Sequence, residues 1–168
     1  MTRGFTIIEI LVSLGIMALL TSLLLLYSRT GERQITLFKE QAGLVSAVLR
    51  AKSLSIQTFS EQAPACGYGI HFNLADNNFV LFKDSAPNCE EANRSYDPGE
   101  ELETHDLPAD LKFTQLDLTD VVFVPPDPKT FLDQDPSKKE ALVRIGTADG
   151  TAEITVKINN AGQVTTQK

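Results

Sequence analysis

Glu9 is the first residue in this chain whose type and setting demand a chemical explanation. It is a carboxylate inside the otherwise apolar stretch GFTIIEILVSLGIMALLTSLLLLY, Gly4 to Tyr27. A charged acid at the centre of a membrane helix costs ~2.5–3.5 kcal/mol and is a functional residue by default. Nearer the membrane edge, where Glu9 stands, the cost is lower, so the side chain either snorkels to the surface or meets a cationic partner. Cys66 and Cys89 are the two cysteines of the chain, and both follow the apolar stretch. Without accompanying histidines they make a poor metal site, whereas in an exported segment they form one disulfide. The other candidates are His71, His105 and the stretch Asp84 to Asp110, which holds nine carboxylates against one base, Arg94. Clustered acids could take calcium, but neither this stretch nor the Pro-interrupted run Asp127 to Asp135 has EF-hand spacing, and a solvated, repulsive loop is the default. The two histidines lie far apart, no Ser stands in a G-x-S-x-G elbow, and no Gly-rich loop follows a strand. The expectation is no catalytic residue, no metal and no cofactor; a pocket lining His71 with two carboxylates would argue for a membrane-tethered enzyme instead.

The bulk properties narrow the class further. The formal net charge is -7, which argues against nucleic acid as a partner because phosphate binding needs clustered Lys and Arg. At 168 residues the chain has room for one domain and an extra segment.

The element that must position Glu9 is a helix. Ile10 to Tyr27 is free of charge and as a helix covers about 27 Å, close to the hydrocarbon thickness of a bilayer. Arg3 on the short side would hold that end in the cytoplasm. A cleaved secretory signal fits poorly: its apolar core is about 7–15 residues and ends at a small-residue site, whereas this one ends in LLLLYSRTGER.

Gly4-Phe5-Thr6-Ile7-Ile8-Glu9, behind a short basic leader and before an unbroken apolar helix, resembles the class III signal of type IV pilins and type II secretion pseudopilins. Gly4, Phe5, Thr6 and Glu9 match that pattern position for position. The resemblance implies that a prepilin peptidase cuts between Gly4 and Phe5 and that Phe5 carries a new, N-methylated amine. It also implies that Glu9 of one subunit faces that amine on a neighbour, two charges made tolerable by pairing. Many relatives have a proline where this chain has Leu26.

The apolar pattern continues past Tyr27. Ile35, Phe38, Ala42, Val45, Leu49, Ile56 and Phe59 follow 3-4 spacing, interrupted by Lys52, and Leu37, Leu44 and Val48 widen the stripe. One helix from Phe5 to about Thr58 would be roughly 80 Å long, its outer half packed on a sheet of the same chain rather than in a coiled coil. Strands are expected at 68–74, 79–83, 111–118, 121–124, 141–146, 152–158 and 163–167, with turns at Asp76-Asn77-Asn78, Asp149-Gly150 and Asn159 to Gly162. A two-residue loop at Asn77-Asn78 would carry Cys66 opposite Cys89. Pro125, Pro126 and Pro128 would force an extended exit without ladder pairing.

The fold class is therefore α+β, a long N-terminal helix packed against an antiparallel head, with the C-terminal strands arranged as a meander. Residues 1–4 are a leader, 5–27 a transmembrane or filament-core helix, 28–60 its amphipathic continuation and 61–168 the β head. The segment 67–82 and VVFVPPDP at 121–128 also resemble the head of minor pseudopilins of the GspH/FimT type. The resemblance implies a structural subunit of a pilus or secretion pseudopilus, anchored once in the bacterial inner membrane with its head outside the cytoplasm. Its partners would be the prepilin peptidase and N-methyltransferase, other pilin or pseudopilin subunits, membrane lipid along 5–27 and an inner-membrane assembly platform. The alternative is a membrane-anchored adhesin whose β head captures a ligand.

Overall fold

The unbroken helical periodicity of the first third of the chain produces a single helix, α1, over Ile7–Gln57 in the computed structural model. The structure describes residues 6–57, 65–126 and 128–167, with backbone alone at 25–30. Gly4, Phe5 and Phe59, and the side chain of Leu26, lie outside the described residues. The chain divides into two compact units, residues 1–36 and 37–168.

In the second unit α1 buries Leu37, Glu40, Leu44, Val48, Ala51 and Ser55. This corrects the sequence expectation, in which Leu37, Leu44 and Val48 only widened the stripe. Of the 3-4 stripe, Val45 packs partly buried against the core, whereas Phe38, Ala42, Leu49 and Ile56 are exposed, on a face roughly 130° around the helix. Spacing alone could not choose between two apolar faces, because the choice depends on where the sheets lie. Lys52 is no longer an interruption: its ammonium donates to the Gly162 carbonyl (3.2 Å) in a turn of the second sheet.

Nine strands follow among the described residues: β1 Gly67–Asn73, β2 Asn78–Asp84, β3 Glu101–Asp106, β4 Leu111–Leu116, β5 Asp120–Val124, β6 Lys129–Leu132, β7 Glu140–Thr147, β8 Glu153–Asn159 and β9 Val164–Gln167. They form two antiparallel sheets, ordered β3-β2-β1-β5-β6 and β4-β7-β8-β9, and the expected C-terminal meander is β7-β8-β9 of the second. The chain changes sheet at β4, whose alternating Leu111 and Phe113 are buried. The turns at Gly150 and Gly162 fall where expected, both with positive φ (72° and 67°).

Side chains alternate across a strand. One face of the first sheet carries Tyr68, Ile70, Phe72, Phe79, Leu81, Val121 and Phe123, which join the α1 residues and the inner face of the second sheet in one core. Each fully buried aliphatic or aromatic side chain of this kind contributes roughly 1.5–3 kcal/mol.

The opposite face of that sheet is also covered, which explains why β1 and β2 read as nearly continuous buried runs. The cover is the acidic segment after β2, expected as a solvated loop. Tyr96 stacks near His71 and Phe82 with ring centroids 4.7 and 5.6 Å away. The Arg94 guanidinium lies 4.2 Å from the Phe131 ring centroid. Burial, with the Glu101 carboxylate beside it, pushes the Tyr96 phenol above its ordinary pKa. Cys66 and Cys89 are disulfide-bonded, Cα–Cα 4.9 Å, and pin the segment to the start of β1.

The register that led to that pairing was different. Asn73 pairs with Asn78 around a four-residue turn, 74–77, so the ladder alone would not set Cys66 opposite Cys89. The loop beyond Asp84 brings Cys89 back. The turn closes because Asn77 adopts φ 54°, and its side chain bonds to β4 through the Leu111 carbonyl (2.9 Å) and the Phe113 N–H (3.0 Å). Two strands went unread. β3 lies inside the acidic stretch, and β6 resumes the ladder after the prolines, Val124 opposite Lys129. Propensity disfavours strand in β3, and the prolines argue against a ladder before β6; pairing to a buried neighbour decides otherwise.

Candidate functional site

Thr6 and Glu9 are brought together at the start of α1. Glu9 Oε2 accepts the Thr6 N–H (3.2 Å) and the Thr6 hydroxyl (3.1 Å), and the Glu9 N–H donates to Thr6 Oγ1 (3.3 Å). This is a capping box: the N-cap hydroxyl and the carboxylate three residues on satisfy each other's orphan N–H groups. The signal is present in the sequence as Thr-x-x-Glu before an apolar run.

Beyond it, Ile7–Leu24 is apolar and long enough to cross a membrane, and none of it is buried within the chain. Its hydroxyls are satisfied locally: Ser13 donates to the Glu9 carbonyl, Thr21 to Met17 and Ser22 to Leu19, each at 2.8 Å. Back-bonding of this kind suits a helix in hydrocarbon, where an unpaired polar group is costly.

The histidines take separate places. His71 Nδ1 lies 3.0 Å from Asp120 Oδ1, and Asp120 also accepts the Ser95 hydroxyl (3.1 Å) and the Tyr96 N–H (3.4 Å). Asp120 thus ties β1 and β5 to the covering segment. It gave no sequence signal, since its role exists only once those strands pair.

An open groove beside it contains His71, Asp117 and Asp133, the combination that would argue for an enzyme. The carboxylates are engaged in holding loops. Asp133 accepts the N–H groups of Thr119 (2.6 Å) and Asp120 (3.0 Å) and the Lys138 ammonium (2.6 Å), while Asp117 accepts from Gln115 (2.7 Å). The bond described for His71 goes to a carboxylate, and no hydroxyl or thiol nucleophile takes part in it.

His105 sits on β3, not in a loop. Its Nε2 lies 2.6 Å from Oε2 of the buried Glu40, and its ring is 4.8 Å from that of Phe79. Among the described residues, no group of three His, Cys, Asp or Glu is arranged to hold a metal.

In sequence, no family model and no curated protein matches the chain. In structure it is similar to the minor pseudopilin EpsH from the type 2 secretion system of Vibrio cholerae, with a TM-score of 0.50 and 10% identity over 78% of this chain and 95% of that one. A helix packed, over its later turns, against antiparallel sheets is thus shared by two chains of only 10% identity, and the protein has the pilin-like fold of a minor pseudopilin.

Proposed function

We propose that the chain is a structural, non-enzymatic subunit of a pilin-type filament, a type IV pilus or a type II secretion pseudopilus. It is stored in the inner membrane through residues 5–27, with its head outside the cytoplasm. The observation that carries this reading is the pilin-like fold, in a chain whose α1 begins as an unburied apolar span with Glu9 near its start. Prepilin peptidase cuts after Gly4, and the amine freed on Phe5 is N-methylated and keeps its charge. Glu9 then exchanges its bond to Thr6 for the amine of a neighbouring subunit. A capping interaction of about 1 kcal/mol is small beside the cost of leaving either charge unpaired in hydrocarbon, so the exchange is favoured once a neighbour docks.

Mass spectrometry of the native protein tests the processing. The expected mature chain begins at methylated Phe5; an intact Met1 terminus in assembled filaments would overturn the reading. The exposed apolar face of α1, at Phe38, Leu49 and Ile56, supplies a further surface for neighbouring subunits. Leu49→Glu should leave head stability within about 0.5 kcal/mol, measured by thermal melting, and reduce recovery in sheared filaments.

A further inference from the structure

The head has a second surface that the filament reading does not use. β3 is an edge strand of the five-stranded sheet, paired to β2 alone. The Leu107 N–H bonds to the Asn77 carbonyl (3.1 Å), so the pairs Phe79–His105 and Leu81–Glu103 occupy the hydrogen-bonded positions of the ladder. Thr104 and Asp106, between and beside them, therefore direct their N–H and C=O groups away from β2. Among the described residues those groups have no backbone partner.

The two faces along this edge differ in chemistry. On the α1 side runs a cleft of about 220 Å³, with Gly43 and Ala47 on the helix and Phe79 and Leu81 on β2. The Arg50–Glu103 ion pair and the His105–Glu40 hydrogen bond frame it. A Cβ built on Gly43 meets nothing within 4 Å, so the space is open. A register shift between Leu81 and Phe82 sets Glu101 opposite Phe82, on the other side of the edge, where its carboxylate accepts the Gly99 N–H (2.7 Å). That side also presents Asp106, which accepts from the Asn78 amide (3.2 Å), and the exposed Leu102. Glu101 is held ionised: its own N–H and that of Gly99 keep its carboxyl below the usual range.

We propose that the free edge of β3 docks an extended segment of a partner protein that alternates basic and apolar residues. Added as a sixth strand, such a segment bonds to Thr104 and Asp106. Its period-two alternation sends one set of side chains into the cleft and the other toward Glu101 and Asp106. Lys or Arg answers the acids, and a Val- or Leu-sized group fills the cleft. The same acids exclude a second copy of this chain docking through its own β3, because like charges face each other across the new pair. The proposal rests on the head alone and stands whether or not processing follows the filament reading.

The test uses the full chain, ¹⁵N-labelled in detergent micelles, titrated with the peptide Lys-Val-Lys-Val-Lys-Val and with its Glu-Val counterpart. The Lys-Val peptide should shift the amide resonances of 102–106, weaken with salt and bind at least about tenfold tighter than the Glu-Val peptide. Thr104→Pro removes an outward N–H without touching the β2 ladder and should abolish binding. Gly43→Leu fills the cleft, favours the helix and should weaken binding by about tenfold or more. Asp106→Lys should erase the preference between the two peptides. Equal binding of both peptides, undisturbed β3 amides at millimolar peptide, wild-type affinity in folded Gly43→Leu, or concentration-dependent self-pairing through β3 would each overturn the proposal.

Discussion

If Glu9 pairs a neighbour's amine as proposed, Glu9→Val should leave the chain in the membrane and remove it from filaments. Insertion does not suffer, because the substitution exchanges an acid costing up to ~2.5–3.5 kcal/mol at the bilayer centre for an apolar residue. Assembly does. Under the proposed pairing a neighbour's amine would be buried without its carboxylate, at a cost of about 3–5 kcal/mol, and incorporation should fall about a hundredfold or more, read by immunoblot of sheared filaments against the membrane fraction. The capping box supplies a rival explanation, since the same carboxylate closes the first turn of α1 onto Thr6. Glu9→Gln separates the two, for Gln also completes a capping box but carries no charge. Under charge pairing Gln behaves like Val; under capping it behaves like Glu. Thr6→Ala is the complement: it removes the cap at about 1 kcal/mol and should lower incorporation far less. Filament levels that Glu9→Gln restores in full would sink the pairing.

Gly69→Ala should be the most damaging methyl that can be added to the head. A Cβ there would lie 2.5 Å from the Val121 carbonyl oxygen and 2.7 Å from the Phe82 ring. The first obstacle is backbone of β5, which pairs with β1 directly alongside. The second is a fully buried ring held under Tyr96. Neither is the far end of a flexible side chain, so the strands must part or the covering segment must lift. Overpacking of this kind costs about 3 kcal/mol, a melting temperature lowered by roughly 10 °C for a chain of this size. Gly43→Ala is the matched control. It stands in open space on a helix and should stabilise by up to about 1 kcal/mol. Equal melting temperatures for the two variants would contradict the packing described around β1.

What could be read in advance was whatever local chemistry dictates. The unbroken apolar run beginning at Glu9 had to be a helix, because a peptide backbone in hydrocarbon must bond to itself. Alternation marked β1, β2, β4, β5, β7, β8 and β9, and glycine and asparagine marked their turns. The Cys66–Cys89 bond was expected correctly but from a register the structure does not have, so there the composition argument was the sounder one.

Features that depend on a distant neighbour were beyond reach. Leu37, Leu44 and Val48, not the more regular Phe38, Leu49 and Ile56, became the buried face of α1, since only the position of the sheets selects between two apolar stripes. β3 is a strand in spite of its acids because β2 lies beside it with bonds to make. The acidic cover over Phe82 holds through Asp120, Arg94 and Tyr96, whose partners stand in other strands. Periodicity and turn chemistry are properties of neighbours along the chain, and these the sequence determined by itself. Which face is covered, which edge stays free and which charges meet belong to residues far apart in the chain, and only the tertiary structure, by bringing them within bonding distance, decided them.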